Sequence, residues 1–245
     1  HPVEELQATG GLEDVGTGGV VVAHLVLRLR VTVEVEVHAD GTHAGEGGEA
    51  LLLVLSAWAV SCVGVHAFFL DTIAAHARER VAADRKRVSD AELRARADSL
   101  PRGDFRFEKA LRGDGLSFIC EVKKASPSKG IIDPEFDYLN IARSYAAAGA
   151  DCVSCLTEPK WFLGSDAIFQ DIRAAIPTPM IRKDFTVDAY QIDQAKVLGA
   201  DAVLLICALL DTAELSDYLA RCDDLGLTAL VEAHDEREIA SAVRA

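Results

Sequence analysis

The sequence has 245 residues, half of them apolar, and carries 25 Lys and Arg against 39 Asp and Glu, a net charge of −14. That length and composition support one large domain or two small ones and exclude disorder over most of the chain. The acidic balance argues against nucleic acid as a partner, which needs a basic face, but it leaves room for a small anionic substrate held by a local pair of lysines.

Residues 1–69 hold nine acids and two bases. No Lys, Ile, Met, Asn or Tyr precedes residue 71, whereas Ile73, Lys86, Tyr138 and Asn140 follow. These five types share AT-rich codons. Their joint absence suggests a GC-rich stretch translated without selection for a folded product, with a natural Val-rich domain as the rival reading. Val20 to Val37 alternates, with Arg28, Arg30, Glu34 and Glu36 on one face, and predicts a strand or hairpin. Ala39 to Gly48 is Gly-rich and acidic, a loop. Leu51 to Leu70 runs for twenty residues without a charge, long enough to span a bilayer. Ser56, Ser61, Cys62, Gly64 and His66 dilute the run and no basic cluster flanks its start, so a membrane span is disfavoured. The preferred reading is a segment that packs on the downstream domain or is not native.

Beyond residue 70 the chain changes character. Asp71-Thr72 can cap a helix carrying Ile73, Ala77, Val81 and Val88. Ser89-Asp90 opens a second helix through Ala97, which Leu100-Pro101 breaks, and Phe105–Arg112 reads as a third. From residue 117 strands and helices alternate. Strands are predicted over 117–123, 151–156, 180–183, 201–207 and 227–232. Helices are predicted over about 135–148, 165–175, 187–198, 211–225 and 235–244, and 124–130 is read as a loop. Gly149-Ala-Asp and Gly199-Ala-Asp repeat the same helix-to-strand join. Five βα units imply an α/β fold with a parallel sheet and right-handed crossovers.

Six cysteines are scattered through apolar runs, which suits a reducing compartment and a cytoplasmic protein. Cys152 and Cys155 have CxxC spacing. On a strand, however, positions i and i+3 face opposite ways, so no metal site is expected there.

A doubly wound sheet and a (β/α)8 barrel both fit five βα units. The first turn, Lys-Lys-Ala-Ser-Pro-Ser-Lys-Gly, is no dinucleotide or P-loop fingerprint. Polar residues, most of them charged, instead close the strands: Glu121 and Lys123, Thr157 and Glu158, Lys183 and Asp184, and Glu232. Charges in apolar strands are costly unless used, and barrel enzymes place their chemistry on that rim. Glu121, Lys123, Lys183 and Glu232 fall in phase on one face. Two lysines and two glutamates converging there suit acid–base work on an anionic substrate. Each alone is more commonly a rim ion pair.

These residues resemble a known family. Phe118-Ile-Cys-Glu121-Val-Lys123-Lys-Ala-Ser126-Pro127-Ser128-Lys-Gly130 is similar to the first strand and loop of the indole-3-glycerol-phosphate synthases. Leu156-Thr-Glu158-Pro-Lys-Trp161-Phe162-Leu-Gly164-Ser165, Ile181-Arg-Lys183-Asp184-Phe185 and Leu230-Val-Glu232-Ala-His-Asp235 continue the match in order. The lead-in from Ile73 resembles that family's helical extension over the barrel mouth. The resemblance implies a (β/α)8 TIM barrel and closure of an indole ring on 1-(2-carboxyphenylamino)-1-deoxyribulose 5-phosphate, with loss of CO2 and water and no cofactor or metal. It implies Lys183 as general acid, Glu232 and Lys123 assisting dehydration, and Glu121 orienting the lysines. Ser126 would contact substrate, and Phe162 and Phe185 would wall its aromatic ring; Trp161 and Phe162 read equally well as core aromatics.

The predicted organisation is an unassigned segment over 1–69, a helical extension over 70–112 and a partial barrel over 113–245. Three βα units of a whole barrel lie outside the sequence. The expectation is therefore a fragment that is inactive alone and self-associates through open strand edges. The alternatives are a membrane-anchored or partner-binding protein reusing a half-barrel, or another phosphosugar barrel such as phosphoribosylanthranilate isomerase.

Overall fold

A computed structural model describes residues 21–26, 32–36, 70–113 and 115–245. The apolar run over 51–69, and Arg28 and Arg30, lie outside the described residues. Among those described, no helix is long and apolar enough to cross a membrane.

The alternating N-terminal stretch forms a hairpin of β1 (Val21–Val26) and β2 (Thr32–Glu36). Next comes helix α1 (70–85). Ile73, Ala74, Ala77 and Val81 recur at helical spacing and are all buried. The helix is already under way at residue 70, so Asp71 and Thr72 lie inside it rather than capping it. Helix α2 (Asp90–Ser99) begins where the Ser89 hydroxyl accepts a hydrogen bond from the Glu92 N–H, and it stops before Pro101. Helix α3 (Arg106–Ala110) buries Phe107 completely.

The repeating part follows in order: β3 (Phe118–Val122), β4 (Ala125–Ser126), β5 (Gly130–Ile131), α4 (Tyr138–Ala147), β6 (Cys152–Leu156), α5 (Asp166–Ala175), β7 (Met180–Lys183), α6 (Tyr190–Leu198), β8 (Ala202–Ile206), α7 (Thr212–Leu225), β9 (Thr228–Glu232) and α8 (Glu236–Arg244). Two differences from expectation concern loops. Residues 124–130 hold the small β4–β5 hairpin, because Gly130 takes a left-handed φ of 67° that turns the chain back. Helix α6 starts at Tyr190 rather than 187, because the Gln191 side chain bonds the Val187 N–H and the Phe185 carbonyl and holds 185–189 in a turn.

Strands β3, β6, β7, β8 and β9 pair in that order, all parallel. Strand β1 pairs antiparallel with the outer edge of β3, Val21 opposite Cys120. So one of the two edges expected to be open is covered; among the described residues β9 forms a ladder only with β8, and β2 packs near its other side. The two faces of the sheet are cleanly sorted. Ile119, Cys152, Ile181, Ala202, Leu204, Ile206 and Leu230 point inward and cluster on Phe107, which closes one end. Val122, Val153, Cys155, Met180, Val203, Leu205 and Val231 point outward under the helices. Cys152 and Cys155 thus sit in different clusters, and burial pushes both thiols up.

The helical extension is stitched to the strand layer by backbone. Gly103 N–H donates to the Leu225 carbonyl at 2.8 Å, and Gly226 leaves α7 with φ 67°. A Cβ on Gly226 would lie 2.0 Å from the Gly103 carbonyl oxygen, so both positions require glycine. Across the other end of the strands, Ala74 and Ala77 of α1 pack on Val187, Phe185 and Leu209. Val81 packs with Leu93 and Tyr190.

Candidate active site

The polar residues gather where the strands end. In β3, Glu121 and Lys123 lie two apart and share a face. Lys123 Nζ donates to Glu121 Oε1 at 2.6 Å, and both side chains are largely buried. Ser154 stands beside Glu121 in register on β6 and donates to its other oxygen, Oε2, at 3.3 Å. Lys183 ends β7 in register with Leu156, one inward step beyond the buried Ile181. Burial would push the Glu121 carboxyl up. The charges of Lys183 and Lys123, with the hydrogen bonds from Lys123 and Ser154, outweigh it and hold Glu121 below the usual carboxylate range. Glu121 is therefore an anion seated between two lysines.

Glu232 ends β9, and its Oε1 lies 2.8 Å from His234 Nε2. It lies beyond β8 from Lys183 in the strand order. Ser126 is on the β4–β5 hairpin, where its hydroxyl accepts from the Lys129 N–H and faces the Ser128 hydroxyl at 3.4 Å. The Phe162 and Phe185 rings meet at 6.0 Å between centroids, tilted by 41°. Both stay partly exposed, as does Trp161, so none is a sealed core aromatic. The structure thus joins Glu121 to Lys123 and Phe162 to Phe185, and sets Ser126 on the β4–β5 hairpin and Glu232 at the end of β9, apart from them.

Glu158, at the end of β6, is fully buried and has an organising role. Its carboxylate accepts from the N–H groups of Lys160, Trp161 and Phe162 at 2.7–3.1 Å, folding the loop that presents Phe162. His76 of α1 lies 3.4 Å from the same carboxylate and stacks edge-on against Trp161. Gly164 completes the turn; a Cβ there would lie 2.1 Å from the Leu156 carbonyl oxygen.

Asp184, also buried, accepts from Arg80 Nη1 and Nη2 at 3.1 and 2.6 Å, from the Thr157 hydroxyl at 2.7 Å and from the Phe185 N–H at 2.8 Å. Burial works against its charge. Arg182 and Arg80, with the Arg80 and Thr157 hydrogen bonds, outweigh that and hold the pKa down. A depressed folded pKa stabilises the fold above the unfolded value, about 4 for a carboxyl, and that contribution is lost as pH falls through the folded value. Glu121 acts in the same sense. We expect urea midpoints that are level between pH 7 and pH 5 and fall below about pH 4. Asp184→Asn should lower the midpoint at pH 7 and flatten its acid dependence; a variant retaining the full acid slope would rule out Asp184 as a source of it.

Ser154, Arg80 and His76 join the site without having been singled out in the sequence. Only Ser154 carried a usable signal, as a lone hydroxyl on the inward face of an apolar strand. A cleft lined by Arg80, Asp84, Arg87, Thr157, Ser165 and Asp166 flanks α1 and shares no residue with the Glu121–Lys123–Lys183 group.

The sequence profile for indole-3-glycerol phosphate synthase matches residues 70–245. An indole-3-glycerol phosphate synthase of Ruminiclostridium cellulolyticum is 52% identical over 177 residues, covering 72% of this chain and 68% of the relative. One from Endomicrobium trichonymphae is 52% identical over 139 residues, 57% of this chain and 54% of the relative. One from Chlorobium phaeovibrioides is 44% identical over 179 residues, 71% and 68% respectively. The chain thus spans between about half and two thirds of the length of these relatives.

Proposed function

We propose, from the premise that this chain belongs to the indole-3-glycerol phosphate synthase family, that it supplies the acid–base side of that enzyme's active site. The family is one of TIM-barrel carboxy-lyases of tryptophan biosynthesis, and the five parallel strands here are five of the barrel's eight. The supporting observation is the buried Glu121 anion between Lys123 and Lys183.

The substrate is 1-(2-carboxyphenylamino)-1-deoxyribulose 5-phosphate. Its anilino nitrogen pushes electron density to the ring carbon that attacks the ketone. Lys183, charged and aimed inward, gives a proton to the ketone oxygen as the ring closes. Glu121 holds Lys123 in place through one carboxylate oxygen and faces Lys183 with its charge. Carbon dioxide then leaves and aromaticity returns to the benzene ring. Lys123 and Glu232 assist departure of the hydroxyl and removal of a proton to form the indole double bond. Phe162 and Phe185 give the anthranilate ring an apolar wall, and Ser126 contacts the substrate from the β4–β5 hairpin. The chain acts in the cytoplasm without metal or cofactor.

The test is fluorescence of the indole product from the chain joined to the last three βα units of a family relative. Glu121→Gln keeps the shape and removes the charge, and should lower kcat roughly 10–100-fold, the worth of a charged hydrogen bond. Turnover of phosphoribosylanthranilate instead, with none of this substrate, would reassign the site to the isomerase.

A further inference from the structure

We propose that Arg80, in the helix ahead of the barrel, is a positioning residue for the acid Lys183, acting through Asp184. This rests on the reading of Lys183 given above. Asp184 lies between Lys183 and Phe185, the two residues of β7 and its loop that face the substrate. Its carboxylate is almost fully buried and receives four hydrogen bonds, two of them from Arg80. The other two come from Thr157 at the end of β6 and from the Phe185 backbone. Arg80 reaches this point across 104 positions of sequence, as a planar fork on both carboxylate oxygens. Its Nε is buried without a partner, so the side chain is aimed at Asp184 at some cost in hydration.

The consequence is geometric. A carboxylate pinned on both oxygens fixes the backbone at 184, and with it the exit of Lys183 from the strand and the pitch of Phe185. With Arg182, Arg80 also offsets the Asp184 charge beside Lys183. A second tie from the same helix differs in what it holds. Arg85 bonds Asp188 at 2.6 Å, but Asp188 lies beyond Phe185, just ahead of α6, where it accepts from the Tyr190 N–H at 2.9 Å. Arg85 also pairs with Asp90. It therefore anchors α1 without ordering the acid.

This contrast gives the experiment. In the barrel completed as above, Arg80→Ala should lower kcat about 10²-fold, the scale of a small misplacement of a catalytic group. KM should move far less. Arg80→Lys, which restores charge without the fork, should recover part of the loss, and Arg85→Ala should leave kcat unchanged. In the 245-residue chain itself, lysines labelled by 13C reductive methylation report the Lys183 titration directly. Arg80→Ala should shift it upward and Arg85→Ala should not, because only the first removes one of the two cations, Arg80 and Arg182, that face Asp184. Parent-like kcat in Arg80→Ala, or an unshifted Lys183 titration, overturns the proposal. If the completed barrel makes no product, the titration decides alone. Failure of the acid assignment is separate: it shows as full turnover by Lys183→Met.

Discussion

Lys183→Met is expected to lower kcat by about 10²–10⁴ in the completed barrel, the worth of one general acid, while binding of a non-reacting substrate analogue stays within a few-fold. Met is unbranched and close to lysine in length, so the aliphatic stem still packs above Ile181 and the strand is not disturbed. What disappears is the proton and one of the two cations facing Glu121. The Glu121 carboxyl should then titrate higher, since burial already pushes it up and only Lys123 and the Ser154 hydroxyl remain against that. The two readouts separate chemistry from electrostatics. Product fluorescence under saturating substrate gives kcat, and calorimetry with the analogue gives binding. A Lys183→Met enzyme with parent kcat would pass the acid role to Lys123, whose Nζ is 2.6 Å from Glu121.

The βα alternation, the inward phase of Glu121, Lys123, Lys183 and Glu232, and the separation of Cys152 from Cys155 were legible because strand periodicity alone decides them. Caps were legible in part for the same local reason: Ser89 and Ser165 each accept from an N–H group that opens the helix, whereas Asp71 and Thr72 lie inside one. The contacts of α1 were not. Arg80 and His76 read as two more polar residues on an amphipathic helix, and their partners, Asp184 and Glu158, lie far along the chain. Nothing local distinguishes Arg80 from Arg87, which is three-quarters exposed and pairs with Asp84. Tertiary docking selects between them. Glu158 was misleading in the other direction: a glutamate at a strand end suggested chemistry, whereas its oxygens are committed to three backbone N–H groups of its own loop.

The largest effect expected is of completing the barrel itself. Phosphate in barrels of this class is gripped by loops after strands seven and eight. Strands β3, β6, β7, β8 and β9 correspond to five of the eight. In the proposed reaction a phosphate grip from those later loops would position the substrate against Lys183, and positioning can supply as much as about 7–11 kcal/mol of a barrier. The same side of the molecule presents apolar surface. Helix α8 buries none of its residues, leaving Ile239 and Val243 exposed at 41% and 71% one turn apart, next to β9, which among the described residues has a ladder only with β8 and is approached on its other side by β2. An exposed apolar helix stripe is a template for association. We therefore propose that the 245-residue chain alone forms no indole product and sediments as concentration-dependent oligomers. Joining the last three βα units of a relative should restore turnover and give a discrete species in the same centrifuge run. Product formation by the monomeric 245-residue chain would mean that residues in hand, with Lys123 and the Ser126 hairpin the first to test, hold the phosphate by themselves.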